Sequence, residues 1–293
     1  MRLVTFRHAG RLEQRAGALR RDGGIVDLAA ADGLLEGGIL ALIAAEPALL
    51  DRARAAAEKA PAVEGAVLCA PLPRPAKNIF CVGKNYREHA AEFAGSGFDA
   101  TAKEVVPEAP VVFSKPPTSV IGPGEPIPSH LDPTASVDYE GELAVVIGRG
   151  GRGIRRADAP GHVFGYTIVN DVTARTLQHK HRQWILGKGL DGFCPMGPAI
   201  LTADEAPDPG KLRVTTHVNG EKRQDAPVSD LIFDIPTLIE TISAGITLEP
   251  GDIIATGTPA GVGIGFDPPR FLKPGDTVRI EVAGIGVLEN PVE

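Results

Sequence analysis

Three acids stand at alternate positions in Val137-Asp138-Tyr139-Glu140-Gly141-Glu142-Leu143-Ala144-Val145-Val146-Ile147-Gly148, leading directly into an apolar run. Alternate side chains of a strand share a face, so the spacing predicts that Asp138, Glu140 and Glu142 point together. Like charges set side by side repel, and apolar neighbours make the repulsion worse. A second apolar run, residues 164–170, also ends in an acid, Asp171. A solvated strand face would account for the first three acids, whereas a divalent cation would reconcile all of them. Carboxylates without a His-Cys cluster suit a hard ion such as Mg2+, Mn2+ or Ca2+ better than zinc. Three protein ligands on an octahedral ion leave room for a 2-oxo acid or its enolate to chelate it.

A second set of residues is Lys84-Asn85-Tyr86-Arg87-Glu88-His89-Ala90-Ala91-Glu92. His89 and Glu92 are three apart, so on a helix the carboxylate would orient the imidazole and raise its basicity. That is the form of a general-base pair; an incidental ion pair on an exposed turn has the same spacing. The following Phe93-Ala94-Gly95-Ser96-Gly97-Phe98-Asp99-Ala100 has the composition of a mobile lid. Lys188 lies among glycines and apolar residues, either a solvated loop charge or a cation facing inward. Gly257-Thr258-Pro259-Ala260-Gly261 would set a hydroxyl and backbone amides at a strand end, where a carboxylate could be received. Gly261, Gly263 and Gly265 are spaced like a phosphate-cradling loop, but Pro268 and Pro269 stand where the necessary helix would begin.

The elements that must position these groups are short strands. Glycine (35) and proline (26) are abundant among 293 residues, as many tight turns require. Apolar, β-branched runs predict strands near 78–82, 111–114, 142–148, 164–170, 212–219, 252–256 and 277–282, and thus a β-rich roll or sandwich with a few helices. Helical windows fall at 174–184 and 236–244. The first 70 or so residues are rich in Ala, Leu and Arg, with a helical pattern over 34–60 broken at Pro47. Pro71, Pro73 and Pro75 then punctuate a connector, which predicts a small N-terminal α/β module (1–72) ahead of a catalytic domain (73–293) in an α+β chain.

A formal charge of −7 disfavours nucleic acid and acidic membranes as partners, and an aromatic content of 5% offers little for base stacking. Three well-separated cysteines form neither a disulfide framework nor a zinc cluster. No apolar run reaches the roughly 20 residues of a membrane span. The expectation is a cytoplasmic protein acting on a small molecule.

Read in order, Gly83 to Glu92, Asp138-Tyr139-Glu140-Gly141-Glu142-Leu143, Asn170-Asp171-Val172-Thr173-Ala174-Arg175, Gly187-Lys188, Phe193-Cys194-Pro195-Met196-Gly197-Pro198 and Thr256-Gly257-Thr258-Pro259-Ala260-Gly261-Val262-Gly263 resemble the fumarylacetoacetate hydrolase family. The resemblance covers residues 73–293. It implies a mixed β-sandwich roll, a homodimer, and Mg2+ or Mn2+, with Ca2+ able to take the place in a crystal. It also implies Glu140, Glu142 and Asp171 as metal ligands, His89 and Glu92 as the catalytic pair, and Lys188 as an enolate-stabilising catalytic group. Gln178, Gly257 and Thr258 match substrate-binding positions, with Asp138 and Arg175 just behind the metal ligands. Val82 stands where the mammalian fumarylacetoacetate hydrolase has a further aspartate, so the chain resembles the bacterial-type members with three carboxylates. The activity implied is metal-dependent C–C hydrolysis of an acylpyruvate-like 2,4-dioxo acid; decarboxylation of oxaloacetate-type acids and isomerisation of 2-hydroxyhepta-2,4-diene-1,7-dioate use the same chemistry. A non-catalytic metal-binding protein is the reading from outside this class.

Overall fold

A computed structural model describes residues 1–33, 37–97 and 106–293. Apolar runs between glycine and proline turns form strands β1 (Arg2–His8), β2 (Arg15–Leu19), β3 (Ile25–Asp27), β4 (Ala66–Leu68), β5 (Ile79–Gly83), β6 (Val111–Lys115), β7 (Val120–Ile121), β8 (Val137–Asp138) and β9 (Gly141–Ile147). They continue with β10 (Val163–Asn170), β11 (Thr173–Ala174), β12 (Cys194–Thr202), β13 (Arg213–Val218), β14 (Glu221–Pro227), β15 (Ile253–Ala255), β16 (Thr277–Val282) and β17 (Gly286–Pro291). Helices are α1 (Leu28–Ala31), α2 (Gly38–Ala44), α3 (Pro47–Lys59), α4 (Arg87–Gly95), α5 (Arg175–His181), α6 (Ile185–Lys188) and α7 (Ile235–Ser243).

Eleven strands share one sheet, in the order β3-β2-β1-β12-β10-β9-β15-β5-β6 with β4 on β1 and β7 on β12, and β14-β13-β16-β17 form a second. The fold is α+β, as the sequence predicts. Strand β9 shows how its layers are held. Leu143, Val145 and Ile147 pack with Val214, Ile280 and Leu288 of the second sheet, while Ala144 and Val146 share a core with Ile39 and Leu42 of α2. A period of two thus divides one apolar run between two cores, and the strand is buried on both faces.

The N-terminal segment extends the same large sheet, with Leu3 of β1 opposite Ile200 of β12. Its proline-rich connector, residues 71–75, lies between β4 and β5. The helical pattern broken at Pro47 forms α2 and α3, with Pro47 in the first turn of the second; residues 34–36 of that pattern lie outside the described residues. Helix α7 begins at a capping Asp234, whose side chain accepts from the Thr237 amide at 3.0 Å.

Two expectations change. The helical window 174–184 is not one helix: Arg182 takes φ 59°, rare for a side-chain-bearing residue, and the chain turns before α6. Strand β12 was not expected because its Cys194-Pro195-Met196-Gly197-Pro198 start carries residues that ordinarily mark turns. Among the described residues no helix is long and apolar enough to cross a membrane.

Asn85, fully buried, clamps the chain leaving β5: its Nδ2 donates to the carbonyls of Thr256 (2.7 Å) and Phe233 (3.0 Å), and its Oδ1 accepts from the Phe233 amide at 2.8 Å. Asn85→Ala leaves these backbone groups unpaired and should lower stability by about 2–3 kcal/mol, as a shifted urea midpoint at unchanged m-value.

Candidate active site

Pairing of β9 with β10 sets Glu142 opposite Val169 and Gly141 opposite Asn170. Paired residues share a face, so Asp171, two beyond Val169, emerges on the side of Glu142. The Asp171 amide donates to the Glu140 carbonyl at 2.9 Å, continuing the ladder past the strand end. Carboxylate oxygens of Glu140, Glu142 and Asp171 consequently lie within 4.8 Å of one another, all three residues buried.

Asp138 does not join them. The run of alternating acids is interrupted at Tyr139 and Glu140, between β8 and β9, and both Asp138 oxygens are occupied elsewhere. Oδ1 accepts from the amides of Tyr139 (2.9 Å) and Gly263 (2.6 Å), and Oδ2 from the Ile264 amide (3.1 Å) and Arg175 Nε (2.9 Å). Arg175 carries the connection onward, its Nη1 lying 2.7 Å from Glu140 Oε1.

Lys188 faces inward, 2% exposed, with Nζ 2.8 Å from both Glu140 Oε2 and Asp171 Oδ2. A further cation, Lys115, is buried at the end of β6 and played no part in the sequence reading. Its Nζ lies 2.8 Å from Asp171 Oδ1, yet its donors go to the carbonyls of Val172 (2.9 Å), Phe193 (2.9 Å) and Lys188. Asp171 Oδ1 therefore has a neighbouring charge and no hydrogen-bond donor. The available signal was a lysine closing the apolar run Val111-Val112-Phe113 just before Pro116-Pro117.

Electrostatics separate the acids. Burial by itself would raise the Glu140 pKa, but Lys188 and Arg175 outweigh it and hold the carboxyl at about 2. Glu142 is pushed well above the usual carboxylate range by burial and by its neighbours Asp171 and Glu140. Its hydrogen bond from the Gly257 amide, 2.9 Å to Oε2, is too little to offset them. Burial also works against charged Lys188, but Asp171 and Glu140 hold its pKa above the ordinary lysine value. A hard divalent cation fits these residues: three converging carboxylates, an oxygen lacking a donor, and one acid without a cation of its own.

Helix α4 brings His89 to this cluster. His89 Nδ1 lies 3.1 Å from Glu92 Oε2, and Glu92 Oε1 accepts from the Gly261 amide at 3.0 Å. The glycine loop is thus an anion cradle for the protein's own acids, Glu92 and Asp138, and a side chain at Gly265 would collide with Glu92. His89, Gln178, Lys188 and Thr258 line one small cavity with Glu140. Gly257 gives its amide to Glu142, and the Thr258 hydroxyl donates to the Gly141 carbonyl (3.0 Å) while accepting from Gln224 Nε2 (2.7 Å). These two support the acids as well as the cavity wall. Of the expected lid, residues 98–100 lie outside the described residues, and the remainder closes α4.

Residues 78–293 match the family model for the C-terminal part of fumarylacetoacetate (FAA) hydrolase. The chain belongs to the fumarylacetoacetate hydrolase family. It is therefore an enzyme, and its relatives in the family differ in reaction. An oxaloacetate tautomerase of Bacillus subtilis (strain 168) is 55% identical over 225 residues, covering 77% of this chain and 72% of the relative. The solved fumarylacetoacetate hydrolase of Exiguobacterium antarcticum superposes with TM-score 0.83 at 40% identity, covering 100% of this chain and 99% of the other. The maleylpyruvate hydrolase of Sphingobium sp. SYK-6, solved with manganese (II) ion and pyruvate, does so with TM-score 0.78 at 32% identity, covering 100% and 98%.

Two outcomes follow for this family member. Lys115→Met removes one of the two lysines beside Asp171 and leaves the buried carbonyls of Val172, Lys188 and Phe193 without this donor, and should cost about 3–5 kcal/mol in urea unfolding. A metal held by these three carboxylates would bind the ionised form of Glu142, whose pKa burial and the neighbouring acids raise. Affinity for Mn2+ should therefore fall as pH is lowered from about 8 to 5, with proton uptake by the released site measurable by calorimetry in buffers of different ionisation heat.

Proposed function

We propose that this enzyme interconverts the keto and enol forms of a small oxaloacetate-type 2-oxo acid, using Mg2+ or Mn2+ held by Glu140, Glu142 and Asp171. The observation that carries this reading is the His89–Glu92 pair at 3.1 Å, standing over the acidic cluster with Glu92 pinned by the Gly261 amide. When bound, the cation supplies a Lewis acid that favours negative charge on the 2-oxo oxygen.

The chain's own groups do the rest. Glu92 holds the Nδ1 proton of His89, which leaves Nε2 to take a proton from the carbon beside the 2-oxo group and return it to oxygen. Lys188, fixed between Glu140 and Asp171, brings positive charge to the oxygen as it gains electron density. Gln178, buried beside Arg175 with Oε1 3.3 Å from its Nη1, keeps its amide nitrogen for the substrate carboxylate. The 55% identity to an oxaloacetate tautomerase supports this choice of reaction.

A second reading is favoured by likeness to the manganese- and pyruvate-bound maleylpyruvate hydrolase. Here His89 with Glu92 deprotonates water, hydroxide attacks the distal carbonyl of a 2,4-dioxo acid, and C–C cleavage releases a pyruvate enol. Assays of the Mg2+- and Mn2+-loaded protein on oxaloacetate, acylpyruvates and unsaturated 2-oxo diacids separate the two. The enol signal of oxaloacetate should decay fastest, and chelation should abolish the effect. Faster cleavage of an acylpyruvate assigns the hydrolase instead, and inactivity on every acid despite stoichiometric metal refutes both. His89→Ala should lower kcat by roughly 100-fold to 10,000-fold while Mg2+ still binds; near-normal turnover would remove His89 from the proton path.

A further inference from the structure

An oxaloacetate-type acid carries a carboxylate at each end, and the groups assigned so far provide for the one beside the 2-oxo group. The second is attached to the carbon whose proton His89 would take. A group that receives it must therefore stand next to His89.

Three cations line the small cavity at the acidic cluster: Lys84, Arg175 and Lys188. Two are committed to the protein's own acids, Arg175 to Asp138 and Glu140, and Lys188 to Glu140 and Asp171. The third, Lys84, is 3% exposed and shares Phe93 with the imidazole. Its Nζ lies 5.4 Å from the Phe93 ring centroid, and the His89 ring stacks on Phe93 with centroids 6.2 Å apart. Lys188 Nζ lies over a different ring, Phe113, at 5.1 Å from its centroid. Phe113 and Phe93 both meet Trp184 edge-on, with centroids 5.1 and 6.1 Å away. The two lysines thus belong to the two ends of one aromatic row, Lys188 at the acidic cluster and Lys84 beside the proton-transfer pair.

The backbone gives an independent sign. Lys84 takes φ 54°, in the left-handed region that costs energy for any residue with a Cβ. It is held there from both sides: a side chain at Gly83 would run into the Trp184 ring, and Asn85 is fixed to the carbonyls of Thr256 and Phe233. A lysine kept where glycine would be unstrained points to a use for its side chain.

We propose that Lys84 receives the second carboxylate of the substrate and makes the enzyme selective for 2-oxo diacids over 2-oxo monoacids. This rests on the 2-oxo acid reading above and narrows it. With the 2-oxo end at the acidic cluster and the far carboxylate on Lys84, the carbon between them is brought to His89. The contact is a charge-assisted hydrogen bond in a buried site, and a methyl group in place of the carboxylate cannot make it.

The test uses the Mg2+-loaded full chain and calorimetric binding of oxaloacetate and 2-oxobutyrate, which carry a carboxylate and a methyl group at the far end. Wild type should bind oxaloacetate about ten-fold or more tighter. Lys84→Met should bring the two acids within about three-fold by weakening oxaloacetate alone, and Lys84→Arg should keep most of the preference. No preference in wild type, a preference retained in Lys84→Met, or an equal loss for both acids in that variant overturns the role of Lys84. If Lys84→Met does not fold, crystals of the Mg2+-loaded wild type grown with malate decide: the far carboxylate should lie within about 3 Å of Lys84 Nζ, and its placement elsewhere overturns the role. Wild type that binds both acids equally leaves the 2-oxo acid reading standing, whereas failure to bind either overturns that reading and the diacid preference with it.

Discussion

Of the four carboxylates buried together in one small volume, three lie directly beside buried cations and the fourth, Glu142, does not, and the placement of nearby groups answers to that imbalance. Asp138 has Arg175 and two loop amides; Glu140 has Arg175 and Lys188; Asp171 has Lys188 and the charge of Lys115. Glu142 is left with one backbone amide, which is why its pKa rises while that of Glu140 falls, two residues away on the same strand. Burial makes each unpaired charge expensive, so the arrangement is complete only with added positive charge. A divalent cation held by Glu140, Glu142 and Asp171 would supply it.

Placement of the acids depends on rigid strands, and placement of His89, Glu92 and Lys188 on short helices and a glycine loop. The ladder between β9 and β10 gives the carboxylates a fixed spacing, and the cores on both faces keep it from slipping. The Gly261–Gly265 loop holds Glu92 from one side and Asp138 from the other, so the His89–Glu92 pair and the acidic cluster are located by a single piece of backbone. Trp184 does the same for Lys188 and α4: its carbonyl holds one and its ring seats the other.

Much of this was readable in the residue order because the signals are local. Alternate acids leading into one apolar run and a single acid closing another marked β9 and β10, the three-residue spacing of His89 and Glu92 matched a helical turn, and the window 236–244 fell on α7. Less was readable where local signals mislead. Prolines and a glycine concealed β12, although it holds β1 on one side and β10 on the other. Arg182 broke a helical window that composition favoured. The alternating acids promised Asp138 a place beside Glu140, and only the loop amides of Gly263 and Ile264, more than 100 residues onward, explain why it turns away.

Residue types and short spacings alone pointed to the groups at hand: carboxylates suited to a hard cation, an imidazole–carboxylate pair with the form of a general base, and a lysine among glycines. They did so because strand and helix periods are set by the backbone and need no distant partner. Tertiary structure decided which charges meet. That Lys188 faces inward, that Lys115 stands behind Asp171, that Glu142 alone lacks a cation and that Trp184 closes the cavity all depend on contacts between segments far apart in sequence. Such contacts are fixed by packing and by the need to compensate buried charge, and neither is written in any local pattern.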